Sequence, residues 1–243
     1  PEEIIFTSGG TESNNFAIQG IAFANRDKGN HIITSSIEHP AVLEVCKFLG
    51  KNGFEISYVG VDPNGRINPE SIRAAVRPST ILISIMHANN ETGTIQPVAE
   101  ISGIAAEFNI PFHTDAAQSV GKIGVDVNRP GVDLLSIAGH KFYAPKGVGA
   151  LFVREATGLS KLLHGASHEH NMRPGTENVL EIAGLGMAAE VALRDLEKNA
   201  DVMRRTRDLL YKEIQKEIPE IVWNGDPENI LPNTLSISFP GID

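Results

Sequence analysis

The run Thr80-Ile-Leu-Ile-Ser-Ile-Met86 constrains the fold of this chain more than any other feature. It is short, nearly continuously apolar and rich in β-branched side chains, the pattern of a strand covered on both faces. Such strands belong to parallel sheets packed between helices. The rest of the chain follows suit. Ile4–Thr7, Ile32–Ser35, Ile110–Thr114, Val132–Ile137 and Val148–Val153 read as strands, and Phe54, Ile56 and Tyr58 alternate with polar residues as a half-buried strand does. Helical patterns fall between them, from about Glu12 to Arg26, from about Pro40, and at Val98, Ile101, Ile104, Ala105 and Phe108. The expected fold is therefore α/β, a mostly parallel sheet sandwiched by helices. Leu180–Lys198 and Val202–Glu217 read as more charged helices, and Thr234–Phe239 as a strand opening a second domain. This divides the chain into a large domain over 1–198, then a linker helix and the beginning of a smaller α+β domain over 199–243.

The length of 243 residues suits one large core, or one domain plus part of another. With 21 basic against 30 acidic residues, the net charge of -9 argues against a nucleic-acid partner. No apolar stretch is long enough to span a bilayer and no signal-peptide pattern opens the chain. Pro1-Glu-Glu-Ile reads like the middle of a domain, and Asp243 follows closely on a strand, so segments are expected to be missing at both ends. The expected location is the cytoplasm, with a mitochondrial or plastid matrix as the alternative. The single cysteine, Cys46, recurs with Val42, Val45 and Leu49 at helical spacing and reads as a core residue.

Two polar residues stand at the ends of apolar strands, where open α/β sheets place their ligands. Lys141 lies in Ala138-Gly-His-Lys-Phe-Tyr, and Asp115 in His113-Thr-Asp-Ala-Ala-Gln118. An amine and a carboxylate so placed suit pyridoxal phosphate, whose aldehyde needs the first and whose ring nitrogen needs the second. Gly139 lets backbone approach a ligand and His140 can donate to a phosphate. Lys146 is the rival amine and reads as a surface turn residue. Gln118 is a candidate donor to the ring oxygen. Ser8-Gly-Gly10-Thr11-Glu-Ser13 joins a strand to a helix, so its free N–H groups suit a phosphate; Thr11 either bonds that phosphate or caps the helix. It is neither a Walker loop nor a dinucleotide fingerprint. His39, in Glu38-His-Pro40, could stack on an aromatic cofactor ring and shuttle protons as a catalytic residue, or be structural. Asn89 and Asn90 could be turn residues or ligand donors. Thr176, in Arg173-Pro-Gly-Thr-Glu-Asn178, could cap a helix or bind an anion. His164, His168 and His170 fit no zinc spacing, so no metal is expected.

Taken in order, Thr-Ser-Gly-Gly-Thr-Glu-Ser-Asn-Asn, Ile-Glu-His, Met-His-Ala-Asn-Asn-Glu-Thr-Gly, His-Thr-Asp-Ala-Ala-Gln-Ser-Val-Gly, Gly-His-Lys and Arg-Pro-Gly-Thr-Glu-Asn form a specific set. On these motifs the chain resembles the NifS/IscS-type cysteine desulfurases and the related selenocysteine lyases, pyridoxal-phosphate enzymes of the aspartate-aminotransferase fold. The resemblance runs over essentially the whole chain. It implies that Lys141 bonds the cofactor and later acts as base, that Asp115 pairs with the ring nitrogen and that His39 stacks on the ring. It further implies that Asn89 and Gln118 contact the ring hydroxyl side, and that Gly10, Thr11 and His140 hold the phosphate. Thr176 would reach the phosphate of a neighbouring subunit, so a symmetric homodimer is implied. The implied substrate is L-cysteine or L-selenocysteine, the product L-alanine, and the sulfur acceptor a further protein, as in iron–sulfur cluster biogenesis. Ala138 departs from the serine that many members carry as a phosphate ligand, and His168-Glu-His170 departs from Gln-Glu-Arg or His-Glu-Arg. The family's catalytic cysteine loop falls beyond Asp243, so this chain is expected to bind the cofactor without completing sulfur transfer. Another pyridoxal-phosphate aminotransferase or β-lyase, or a catalytically silent dimer partner, is the alternative.

Overall fold

The computed structural model describes residues 2–129 and 131–242. Its centre is a seven-stranded sheet in the order β1-β7-β6-β5-β4-β2-β3. The strands are β1 (Ile4–Thr7), β2 (His31–Ser35), β3 (Glu55–Val59), β4 (Thr80–Ser84), β5 (Phe112–Asp115), β6 (Leu134–Ala138) and β7 (Gly149–Val153). β2 to β6 pair in parallel, whereas β7 runs antiparallel to both β6 and β1. The sheet is thus mostly parallel, with one reversed strand. The short connection from β6 to β7 permits only the antiparallel arrangement, since a parallel return needs a crossover of a dozen residues or so.

Four helices cover the two faces: α1 (Gly10–Ala24), α2 (Pro40–Lys51), α3 (Pro69–Ala75) and α4 (Val98–Glu107). The alternation of strand side chains decides which face each meets. Ile32, Leu82 and Leu134 pack with Phe16, Ile18 and Ile21 of α1 and with Val42, Cys46 and Leu49 of α2. Ile33, Ile83 and Leu135 point the other way, against Ile72 of α3 and Ile101 and Ile104 of α4. β4 is buried throughout, as its unbroken apolar run requires. β5 is also wholly buried although it reads Phe-His-Thr-Asp. Its histidine is satisfied inside the sheet: the two ring nitrogens of His113 lie 2.8 Å from Ser84 Oγ and 2.9 Å from Ser136 Oγ. Burial drives that imidazole down to about 3, so it is a neutral core group.

Several elements differ from the sequence reading. α1 starts two residues before Glu12, so both Gly10 and Thr11 lie inside its first turn. β3 is an edge strand, and Tyr58 on it is 43% exposed. α3 carries too few apolar residues to announce itself. After the one-turn α5 (His168–Asn171), helix α6 (Val179–Arg194) breaks at Asp195 and α7 (Leu196–Glu217) begins at once, earlier than Val202. The expected strand over Thr234–Phe239 shrinks to β9 (Ile237–Ser238), which pairs only with β8 (Val222–Trp223). Pro1, Pro130 and Asp243 lie outside the described residues.

Candidate active site

The carboxyl ends of β1, β2, β4, β5 and β6 converge on one side of the sheet, and the amino end of the reversed β7 joins them. A cavity of about 530 Å3 opens there. Each strand end contributes one wall. β1 gives Ser8 to Thr11, β2 gives His39, β5 gives Asp115 and Gln118, and β6 gives His140 and Lys141. Of the residues expected from the sequence, Gly10, Thr11, His39, Asp115, Gln118, His140 and Lys141 line this one cavity.

The wall formed by the start of α1 demands glycine. Gly9 takes φ +150, a conformation closed to L side chains, and a Cβ there would meet no protein atom within 4 Å. A Cβ on Gly10 would sit 3.0 Å from the Cβ of Ala138, and one on Gly149 would sit 2.7 Å from Gly9 Cα. The loop is therefore held between β6 and β7 by backbone packing, and the first N–H groups of α1 face the cavity mouth. Those groups have no intrahelical acceptor and carry the positive end of the helix dipole. Glu12 fixes the loop from the other side. Its carboxylate accepts from Ser8 N at 2.7 Å and from Arg173 Nε at 2.9 Å.

Asp115 forms the floor. It is 6% exposed, and burial pushes its carboxyl above the usual range. Opposing this, Ala117 N donates to Oδ1 at 2.9 Å and Asn14 Nδ2 donates to Oδ2 at 2.6 Å, with His39 and Lys141 adding attraction. Asn14 was not singled out by the sequence reading. It sits one helical turn after Gly10, on the same face of α1, and that spacing is the signal that points to it. Its Oδ1 is buried and has no partner among the described residues, and Asn14 belongs to the same cavity wall.

His39 caps α2, its Nδ1 accepting from Ala41 N at 3.1 Å. An Nδ1 that accepts carries no proton, so the neutral ring bears its hydrogen on Nε2. The residue before it, Glu38, is a second miss. It is 4% exposed, and Oε1 accepts from Ser35 Oγ at 2.6 Å and from Met86 N at 2.9 Å. It thereby ties the end of β2 to the end of β4 beneath the cavity.

Lys141 and His140 follow β6 in a 3-10 turn (Gly139–Phe142), and both side chains are exposed at the cavity wall. A Cβ on Gly139 would lie 2.8 Å from Val148 O, so this turn too is pressed against the β7 hairpin. Lys146, read from sequence as a surface turn residue, borders the same cavity, because the hairpin folds back over it.

Two expected residues stand elsewhere. The Asn89 side chain is turned into its own loop: Oδ1 accepts from Glu91 N, Thr92 N and Thr92 Oγ1, and Nδ2 donates to Ile37 O at 3.1 Å. Asn90, its neighbour, lines the cavity instead. Thr176 is exposed in a separate recess with Arg173, which shares only Ser8 and Gly147 with the main cavity.

The chain is 54% identical over 242 residues to a protein named cysteine desulfurase IscS of Dictyoglomus turgidum, covering 100% of this chain and 61% of that protein. It is 52% identical to a cysteine desulfurase IscS of Methanosarcina thermophila, covering 99% of this chain and 59% of the relative. The chain thus spans about three fifths of the length of these relatives. Among solved structures, a NifS-like protein superposes with a TM-score of 0.96 at 40% identity, over 100% of this chain and 66% of that one. The structure titled SspA in complex with cysteine superposes with a TM-score of 0.85 at 41% identity, over 98% of this chain and 67% of that one. The aminotransferase class-V family, a family of pyridoxal-phosphate-dependent enzymes, matches residues 1–243, and the chain belongs to it.

Proposed function

We propose that this chain is the cofactor-holding part of a cysteine desulfurase, which takes sulfur from L-cysteine and leaves L-alanine. The observation that carries the reading is the Lys141 amine and the buried Asp115 carboxylate on the walls of one cavity. The donor set fits pyridoxal phosphate. That cofactor supplies an aldehyde that bonds an amine and a protonated ring that draws electron density from the substrate.

The chain's residues then divide the work. Asp115 holds a proton at the ring nitrogen, supported by Asn14 and Ala117 N. The N–H groups at the start of α1, the Thr11 hydroxyl and His140 hold the phosphate, with Gly9 leaving the space before them open. His39 would stack on the ring, its tautomer fixed by Ala41 N. Gln118 donates to the ring oxygen. Lys141 would hold the cofactor by its aldehyde, and its amine would move a proton at the substrate Cα. Cysteine as substrate is supported by the names of the relatives and by the structural neighbour described with cysteine. Cys46 is not the sulfur acceptor: it is buried in the core, and burial and Glu38 push its thiol up to about 12. The sulfur leaves on another thiol and passes to a partner protein. The separate recess of Thr176 suits a symmetric homodimer in which that threonine reaches the phosphate of the neighbouring subunit.

The test is borohydride reduction of the protein incubated with pyridoxal phosphate, followed by peptide mapping. The phosphopyridoxyl adduct is expected on Lys141 and nowhere else, and is expected to be absent from Lys141→Ala. An adduct on Lys146, or none, overturns the reading. With the full protein, pyruvate and ammonia in place of alanine would assign a β-lyase instead.

A further inference from the structure

Lys122 is a buried lysine that the chemistry above does not use. It is 8% exposed, and no carboxylate pairs with it among the described residues. Lysines are seldom buried without a counter-ion, because desolvating the ammonium is costly. Burial, then the charge of Lys141, pushes this one down to about 8. Its Nζ lies 2.8 Å from Gln118 O and 3.3 Å from Gln118 Oε1. An ammonium has only donors, so the end of the carboxamide that it meets must be the oxygen. The Gln118 NH2 is thereby directed away from Lys122, and Gln118 lines the cavity.

The backbone is arranged to permit this. Gly121 takes φ +77, and a Cβ on it would lie 2.8 Å from the Cβ of Phe142. Phe142 directly follows Lys141, so the glycine brings Lys122 up against the turn that carries the amine. Tight turns precede it, with Lys122 N donating to Ser119 O at 3.0 Å.

We propose that Lys122 is a positioning residue that holds Gln118 by its oxygen, fixing Gln118 as a hydrogen-bond donor to the ring oxygen of the bound cofactor. The proposal rests on the cavity being a pyridoxal-phosphate site. A glutamine free to turn would offer that oxygen its own carbonyl half of the time. The held glutamine offers only N–H, and its N–H is polarised by the ammonium behind it.

The test compares pyridoxal phosphate with 3-deoxypyridoxal phosphate, which lacks the ring hydroxyl, by equilibrium dialysis on the full protein. Lys122→Met is expected to weaken pyridoxal phosphate about tenfold, the scale of one charge-assisted hydrogen bond, and the deoxy analogue by less than about twofold. Lys122→Arg, which keeps a charged donor, is expected to stay within about threefold of wild type for both. In a Gln118→Met background, Lys122→Met is expected to add nothing, because the lysine acts through the glutamine. Without cofactor, Lys122→Met is expected to unfold at no lower temperature than wild type, since it removes a buried unpaired charge. Lys122→Gln carries the same comparison if the methionine variant does not fold. Equal loss for both cofactors, no loss for either, or a full effect in the Gln118→Met background overturns the proposal. Failure of wild type to bind pyridoxal phosphate, with no adduct on Lys141, overturns the cofactor reading beneath it.

Discussion

Asp115→Asn is expected to cut turnover by the full protein about a thousandfold while the adduct on Lys141 still forms. The reason is the balance of forces on one carboxylate. Burial pushes the Asp115 carboxyl above its ordinary range. Ala117 N and Asn14 Nδ2 each donate to one of its oxygens, and Lys141 adds a positive charge. Two hydrogen bonds thus favour the charged form of a carboxylate that burial disfavours. Asparagine keeps the shape and loses the charge. Loss of a buried charge from its partner costs about 3–5 kcal/mol, which converts to roughly two to four powers of ten in rate. Asn14→Ala removes one support only, and about a tenfold loss is expected. Turnover by Asp115→Asn within tenfold of wild type, measured as alanine formed from cysteine, would remove the carboxylate from the chemistry.

Asp115 and Lys141 were legible in the sequence because each follows an apolar strand at its carboxyl end, the place where an open α/β sheet meets its ligand. The glycines of the α1 loop were legible for a similar reason: two in succession between a strand and a helix mark a backbone that must pass close to something. What was not legible depends on contacts between distant segments. Asn14 is one polar residue among several at the start of α1, and only the approach of β5 gives it Asp115 as partner. Glu38 reads as a loop residue until the end of β4 closes over it. The turn after β4 offers two asparagines, and which one faces the cavity depends on side-chain bonds inside the turn; Asn89 is consumed by them and Asn90 is not. The reversed direction of β7 was invisible because periodicity reports which face a residue occupies, not which way its strand runs.

The other large effect expected is on stability, and Glu38 produces it. Burial lifts its carboxyl to about 8. Ser35 and Met86 N oppose the shift from β2 and from the end of β4, while the charge of Asp115 on β5 adds to it. Cys46 on α2 stays un-ionised across the range concerned. The folded chain therefore binds a proton between the ordinary value of 4.5 and about 8 that the unfolded chain has already released. Linkage then gives the sign: the stabilisation is complete below pH 4.5, declines as pH rises through the window, and is gone above about pH 8. The full window is worth about 5 kcal/mol, a large share of a domain's stability. Glu38→Gln mimics the protonated form at every pH and should remove the slope. Other groups tilt the curve too, since His87 and His113 are pushed down to about 4 and about 3 by burial and favour higher pH. They are common to both proteins, so the difference between wild type and Glu38→Gln isolates Glu38. Denaturant unfolding from pH 4 to pH 9 should find the two alike at the acid end and the glutamine variant more stable at the alkaline end. A difference that stays constant with pH would mean that Glu38 keeps an ordinary carboxyl in the folded chain, ionised over most of the range. The bond from its Oε1 to Met86 N would then be a fixed charge contact under the cavity floor, and not one made by a neutral acid.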